Sequence, residues 1–101
     1  MIVMTSAERA KLRSLAMNIQ PTTHIGKNGV GDALLKQIDE QLESRELIKI
    51  AVLRNADFSA KDIAEEIALS SNAQVVQVLG SKITLYRVSQ KDGVSHLLDV
   101  K

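Results

Sequence analysis

The sequence predicts an α/β fold, a two-layer α-β-α-β-α-β-β arrangement on a four-stranded mixed sheet. Three observations predict it. Segments with apolar residues at helical spacing alternate with short β-branched runs. Two links between strands are long enough to hold a helix, which implies parallel pairing and right-handed crossovers, with the second and third helices on one side of the sheet. The last two runs are separated only by Gly80-Ser81-Lys82, which implies an antiparallel hairpin.

Thr5-Ser6-Ala7-Glu8 has the form of a capping box, and Leu12, Leu15, Ala16 and Ile19 follow at helical spacing, so the first helix is expected near residues 6–18. Its polar side carries Arg9, Lys11 and Arg13 and reads as a solvated face. Asn18 and Pro21 end it, because the proline ring disfavours a helical conformation in the residue before it. Thr22 to Ile25 then reads as a short strand. The second helix is expected from about Asp32 to Arg45, with Leu34, Leu35, Ile38 and Leu42 inward, Val30 leading into them, and Asp39, Glu40 and Glu43 outward in solvent. Leu47 to Leu53 is β-branched and almost continuously apolar, as expected of a central strand. Ser59 caps a third helix of about residues 60–70, whose inward stripe is Ile63, Ala64, Ile67 and Ala68. Gln74 to Leu79 and Ile83 to Val88 form the final hairpin, with Tyr86 on the sheet face opposite the core and Arg87 on the inward parity. Residues 89–101 are polar and weakly patterned, and are expected to be a loose tail or short edge segment; one domain then spans 1–101, with its core at about 5–88.

The stretch Ile25-Gly26-Lys27-Asn28-Gly29-Val30-Gly31-Asp32 joins the first strand to the second helix through three glycines. Glycine reaches left-handed conformations without steric penalty and lets backbone amides face outward. A helix starting near Gly31 leaves its first amides without intrahelical partners, at the positive end of its dipole, with Lys27 at the rim of the place where an anion would dock. The plain alternative is a glycine-rich connection needed only for a compact crossover. Two sharper motifs fail. A P-loop needs Lys and then Ser or Thr after Gly31, where the chain has Asp32 and Ala33; the dinucleotide fingerprint G-x-G-x-x-G is here G-x-x-G-x-G. What survives is G-x-x-G, the loop form with which KH domains clamp a nucleic-acid backbone.

Composition narrows the remaining chemistry. At 101 residues and 11.0 kDa there is room for one modest core, and no apolar run approaches a membrane span. With no cysteine there is no thiolate zinc site and no cysteine nucleophile, which is compatible with a soluble cytoplasmic protein. His24 and His96 are the only histidines, in no metal-ligand spacing, so neither a metal, a cofactor nor a small-molecule substrate is expected, and an enzyme is not the favoured reading. His24, beside the glycine loop, reads as a half-buried strand position rather than a ligand. Net charge is only +1, yet residues 1–31 carry +3 and residues 67–101 carry +2, while residues 32–46 carry −3. A basic patch forms if the fold brings the positive segments together. Phe58 and Tyr86 are the only aromatics, too few for a platform of stacked bases, so recognition would be of backbone and shape.

Five short runs in register carry a family resemblance: Leu12-Arg13-Ser14-Leu15-Ala16, His24-Ile25-Gly26-Lys27-Asn28-Gly29, Glu46-Leu47-Ile48-Lys49-Ile50, Val76-Gln77-Val78-Leu79-Gly80 and Leu85-Tyr86-Arg87. Over roughly residues 5–88 the chain resembles the CRM domain, named for chloroplast RNA splicing and ribosome maturation, and is similar to its stand-alone bacterial YhbY-type members. The resemblance implies a fold related to the C-terminal domain of translation initiation factor three, with the last strand inserted between the second and third. It further implies RNA binding through Gly26, Lys27, Asn28 and Gly29, support from Lys11 and Arg13 on the first helix, and association with precursors of the large ribosomal subunit. One departure stands out: Gly31 and Asp32 occupy the place where a Thr or Ser is expected to open the second helix, and Asp32 opposes a phosphate unless it points away.

Two functional readings follow. The leading one is a non-enzymatic protein that docks ribosomal RNA; the other is a protein-interaction module whose acidic face, Asp39, Glu40 and Glu43, binds a basic ribosomal protein.

Overall fold

Among the described residues, seven elements follow one another as α1 (Ser6–Ala16), β1 (Thr23–Ile25), α2 (Asp32–Arg45), β2 (Leu47–Val52), α3 (Ala60–Ser71), β3 (Gln74–Leu79) and β4 (Lys82–Tyr86). The computed structural model describes residues 5–27, 29–53, 59–90 and 97; Asn28, Phe58 and His96 lie outside them. The expected caps are present: the Thr5 hydroxyl accepts from the Glu8 amide while the Glu8 carboxylate accepts from the Thr5 amide, and the Ser59 hydroxyl accepts from the Asp62 amide. Helix α1 stops at Ala16, two residues before the expected end, because a turn through Met17 and Asn18 brings Ile19 back onto the cluster around Leu12.

The sheet order is β1-β2-β4-β3, with β1 parallel to β2 and β4 antiparallel to both of its neighbours. The inserted last strand is therefore as the family resemblance implies, and the mixed four-stranded α/β architecture is as the sequence predicts. Both helical crossovers step in the same direction across the sheet, so equal handedness puts α2 and α3 on the same face. There Ile38 and Leu42 of α2 and Ile63, Ala64 and Ile67 of α3 bury against Ile25, Ile48, Ile50, Ile83 and Leu85. Beyond these two layers, α1 closes part of the opposite face, where Leu12 and Ala16 pack on Leu47, Val76 and Tyr86.

Strand β4 begins at Lys82 and ends at Tyr86, earlier than the expected Val88; the Arg87 amide still reaches the Glu46 carbonyl at 2.9 Å, while its guanidinium extends to α2. The expected loose tail is fastened where it is described. Buried Glu46, at φ 65, accepts from the Ser89 amide at 2.6 Å and from the Leu97 amide at 2.8 Å, and the Ser89 hydroxyl donates to the Glu43 carbonyl at 2.5 Å. Leu97 packs against the cluster around Leu12.

Candidate nucleic-acid interface

The glycine loop is held at both of its roots. Ile25 is buried before it, Val30 packs on the main core after it, and the Thr22 and Thr23 hydroxyls both donate to Gln41 Oε1, at 2.7 and 3.2 Å, tying the strand to α2. Between these anchors the Gly29 amide donates to the Gly26 carbonyl at 3.0 Å, closing a four-residue turn with Lys27 exposed at its first central position. Gly29 has φ 68, the left-handed region that favours glycine. Gly31 has φ −112 and serves as the N-cap of α2 with no side chain to cap it. The amides of Asp32, Ala33 and Leu34 precede the first intrahelical bond, which runs from the Leu35 amide to the Gly31 carbonyl at 3.0 Å. Asp32 is exposed in the first turn, where its charge suits the helix dipole and competes with any incoming phosphate.

Lys11 and Arg13 are exposed on α1. Their helix packs near Leu47 and Tyr86, at the end of the sheet away from the loop, so roughly 17 Å of strand lies between the two groups at about 3.3 Å per residue. Arg9, expected on the same solvated side, is instead partly buried: its guanidinium donates to the Val75 and Val76 carbonyls at 2.9 and 2.8 Å, beside the register shift between Val75 and Gln77 in β3.

Two further expectations change. Asp39 and Glu43 are not a merely solvated face, because the Arg87 guanidinium reaches them at 2.6 and 3.1 Å and also donates to the Asp39 and Ser71 carbonyls at 3.1 and 2.7 Å. No local pattern marks this pairing, since Arg87 is 48 and 44 residues away from the two acids. His24, expected half-buried, is exposed. Tyr86 does lie on the face opposite the main core, but it is only 3% exposed and covers apolar surface, so it offers no ring to a base. Among the described residues no three His, Asp or Glu side chains gather into a metal site.

Comparison with known proteins places this geometry. The CRS1 / YhbY (CRM) domain matches residues 4–87. The chain is 41% identical over 90 residues to "Probable RNA-binding protein YqeI" of Bacillus subtilis, covering 89% of this chain and 94% of that one. It is 32% identical over 92 residues to an RNA-binding protein of Haemophilus influenzae, covering 90% and 92% of the two chains. The solution structure of SAV1595 from Staphylococcus aureus superposes with a TM-score of 0.74 at 43% identity, over 89% of this chain and 94% of that one. With the α-β-α-β-α-β-β order, the inserted fourth strand and the Gly26–Gly29 turn in place, the chain belongs to the CRS1/YhbY (CRM) domain family.

Proposed function

We propose that this protein is a non-enzymatic, cytoplasmic RNA-binding protein that associates with ribosomal RNA of the pre-large subunit and assists ribosome assembly. The observation that carries the reading is the outward turn from Gly26 to Gly29, closed on itself, exposing Lys27 and leading into an N-terminus of α2 with no side-chain cap. The relatives' names, which state RNA binding, support the partner class.

In this mechanism the two glycines let a sugar-phosphate chain come close to the backbone. Amides of the loop and of the first turn of α2 hold a phosphate, and Lys27 adds a screened charge; Lys11 and Arg13 extend the electrostatic footprint. Positioning of RNA, rather than chemistry on it, is the output.

Lys27→Ala is expected to weaken binding to ribosomal RNA and to lower the slope of log affinity against log salt by about one, the signature of one lost phosphate contact. Gly29→Asp is expected to lose binding outright, since it strains a left-handed backbone and places a carboxylate in the turn. Gel-shift titrations at several salt concentrations check both, and unchanged slope and affinity for Lys27→Ala would exclude the turn. Crosslinking in cells followed by sequencing of the attached fragments reads out which RNA is held. The alternative, a basic protein partner on the acidic face of α2, loses support because Arg87 already engages Asp39 and Glu43.

A further inference from the structure

The face of the sheet carrying α1 is only partly covered, and the residues on its open part are placed by the strand register. His24 pairs with Ala51, Ala51 with Lys82, and Lys82 with Leu79, so these four form one row across all four strands. Lys49, opposite Thr84, belongs to the next row on the same face and is a diagonal neighbour of Lys82, about 7–8 Å away. Alternation puts all of them opposite Ile25, Ile48, Ile50 and Ile83, which face α2 and α3. His24, Lys82 and Leu79 are exposed, Leu79 at 68%, and Lys49 is half-buried, while the small residues between them, Ala51 and Thr84, are buried at 4% and 2%.

Charge divides between the two sides of the molecule. None of the four described strands contains an acidic residue, so nothing on them neutralises Lys49 or Lys82, and among the described residues neither makes an ion pair. Helix α1, on that face, has Arg9, Lys11 and Arg13 against Glu8, which is committed to its capping box. On the other face, α2 has Lys36 and Arg45 against Asp32, Asp39, Glu40 and Glu43, and α3 has Lys61 against Asp62, Glu65 and Glu66. Two like charges on diagonal neighbours add their fields on this face and draw a counter-charge from outside. A polyanion is such a counter-charge.

We propose that RNA crosses the α1 side of the sheet, running from the Gly26–Gly29 turn over His24, Lys49 and Lys82 towards Lys11 and Arg13, with Leu79 giving apolar surface to a ribose or base. This rests on the RNA reading and extends it to an orientation and to contacts at Lys49 and Lys82. The strip bridges the interval that separates the loop from the basic residues of α1. Beyond the first turn of α2, it leaves the acidic exteriors of α2 and α3 facing away from the nucleic acid.

The test measures affinity of the full chain for a transcribed fragment of large-subunit ribosomal RNA across a salt series, with circular dichroism to establish folding. Lys49→Ala and Lys82→Ala are each expected to lower the salt slope by about one, and together to weaken binding at least about tenfold. Lys36→Ala and Lys61→Ala, on the other side, are expected to leave both quantities unchanged. A photo-crosslinking side chain placed at position 79 is expected to capture the RNA, whereas one at position 69, on α3, is not. Equal losses from all four lysine variants, or capture at 69 rather than 79, would overturn the orientation. Loss of binding in Lys27→Ala with none in Lys49→Ala or Lys82→Ala would overturn this inference and leave the glycine turn standing. No binding by the unaltered chain would remove the RNA reading itself.

Discussion

Glu46 carries three tasks at once. Its positive-φ backbone ends α2 and starts β2 without a glycine, its carbonyl accepts from the Arg87 amide at 2.9 Å, and its buried carboxylate receives the Ser89 and Leu97 amides. An amide side chain in its place retains one acceptor and turns a donor towards the other N–H, so Glu46→Gln is expected to cost about 2 kcal/mol in urea unfolding. Tyr86 makes a different prediction. Burial, with Glu46 and then Glu8 adding negative charge nearby, pushes its phenol from 10.0 up to about 12. The unfolded chain therefore ionises first; stability present below pH 10 is lost as the pH rises towards 12, by about 2 kcal/mol. Tyr86 is the only tyrosine and there is no tryptophan, so an absorbance titration reads this group alone. Tyr86→Phe is expected to abolish the alkaline loss and to be harmless at neutral pH, because the hydroxyl is buried with no partner among the described residues. At Gly31, where φ is ordinary and a Cβ would meet open space, Gly31→Ser is expected to add a cap worth a few tenths of a kcal/mol, measured by thermal unfolding.

Helices α2 and α3 are joined at their C-terminal ends by Arg87, which spans two carboxylates of one and the last-turn carbonyl of the other. A guanidinium serves these acceptors as a planar fork, and it also places positive charge at the negative end of α3. Arg87→Lys is expected to lose about 2 kcal/mol of stability in urea unfolding, since an ammonium cannot span the same set. A double-mutant cycle with Asp39→Asn would show coupling, and additive losses would contradict the bridge. The same contact marks the limit of what the sequence discloses about elements. The bounds of α2 were legible because Gly31 and the stripe Leu34, Leu35, Ile38, Leu42 are local signals. The pairing of Arg87 was not, because its partners lie on a helix far away in sequence, and the acidic face looked solvated for the same reason. Amphipathicity told that α1 buries Leu12 and Ala16, but not which side of the sheet receives them. In the candidate site, Gly29 and Lys27 were legible from the turn pattern, whereas Lys49 and Lys82 acquire their common face only from cross-strand register.

At the scale of the whole molecule, charge separation is a product of topology. Residues far apart in sequence, in α1 and at Lys82, share one side because α1 packs across β2, β3 and β4. The strand order was outside the reach of local pattern, since it depends on pairing β2 with a strand that begins 30 residues after it ends; only the family resemblance implied it. Native-state hydrogen exchange offers a test. The amides of β2 and β4, paired on both edges, are expected to exchange slowest and at a common rate, with β1 and the outer edge of β3 faster.

Because β4 follows β3 in the chain yet lies between β2 and β3, translation delivers it after both of its neighbours. A nascent chain that has emerged only as far as β3 has β2 with one bare edge and β3 with no neighbour, and two such chains on adjacent ribosomes present each other with matching unfinished borders. The domain therefore closes in one late, cooperative event, and a chain cut short before Lys82 is expected to aggregate rather than fold in part.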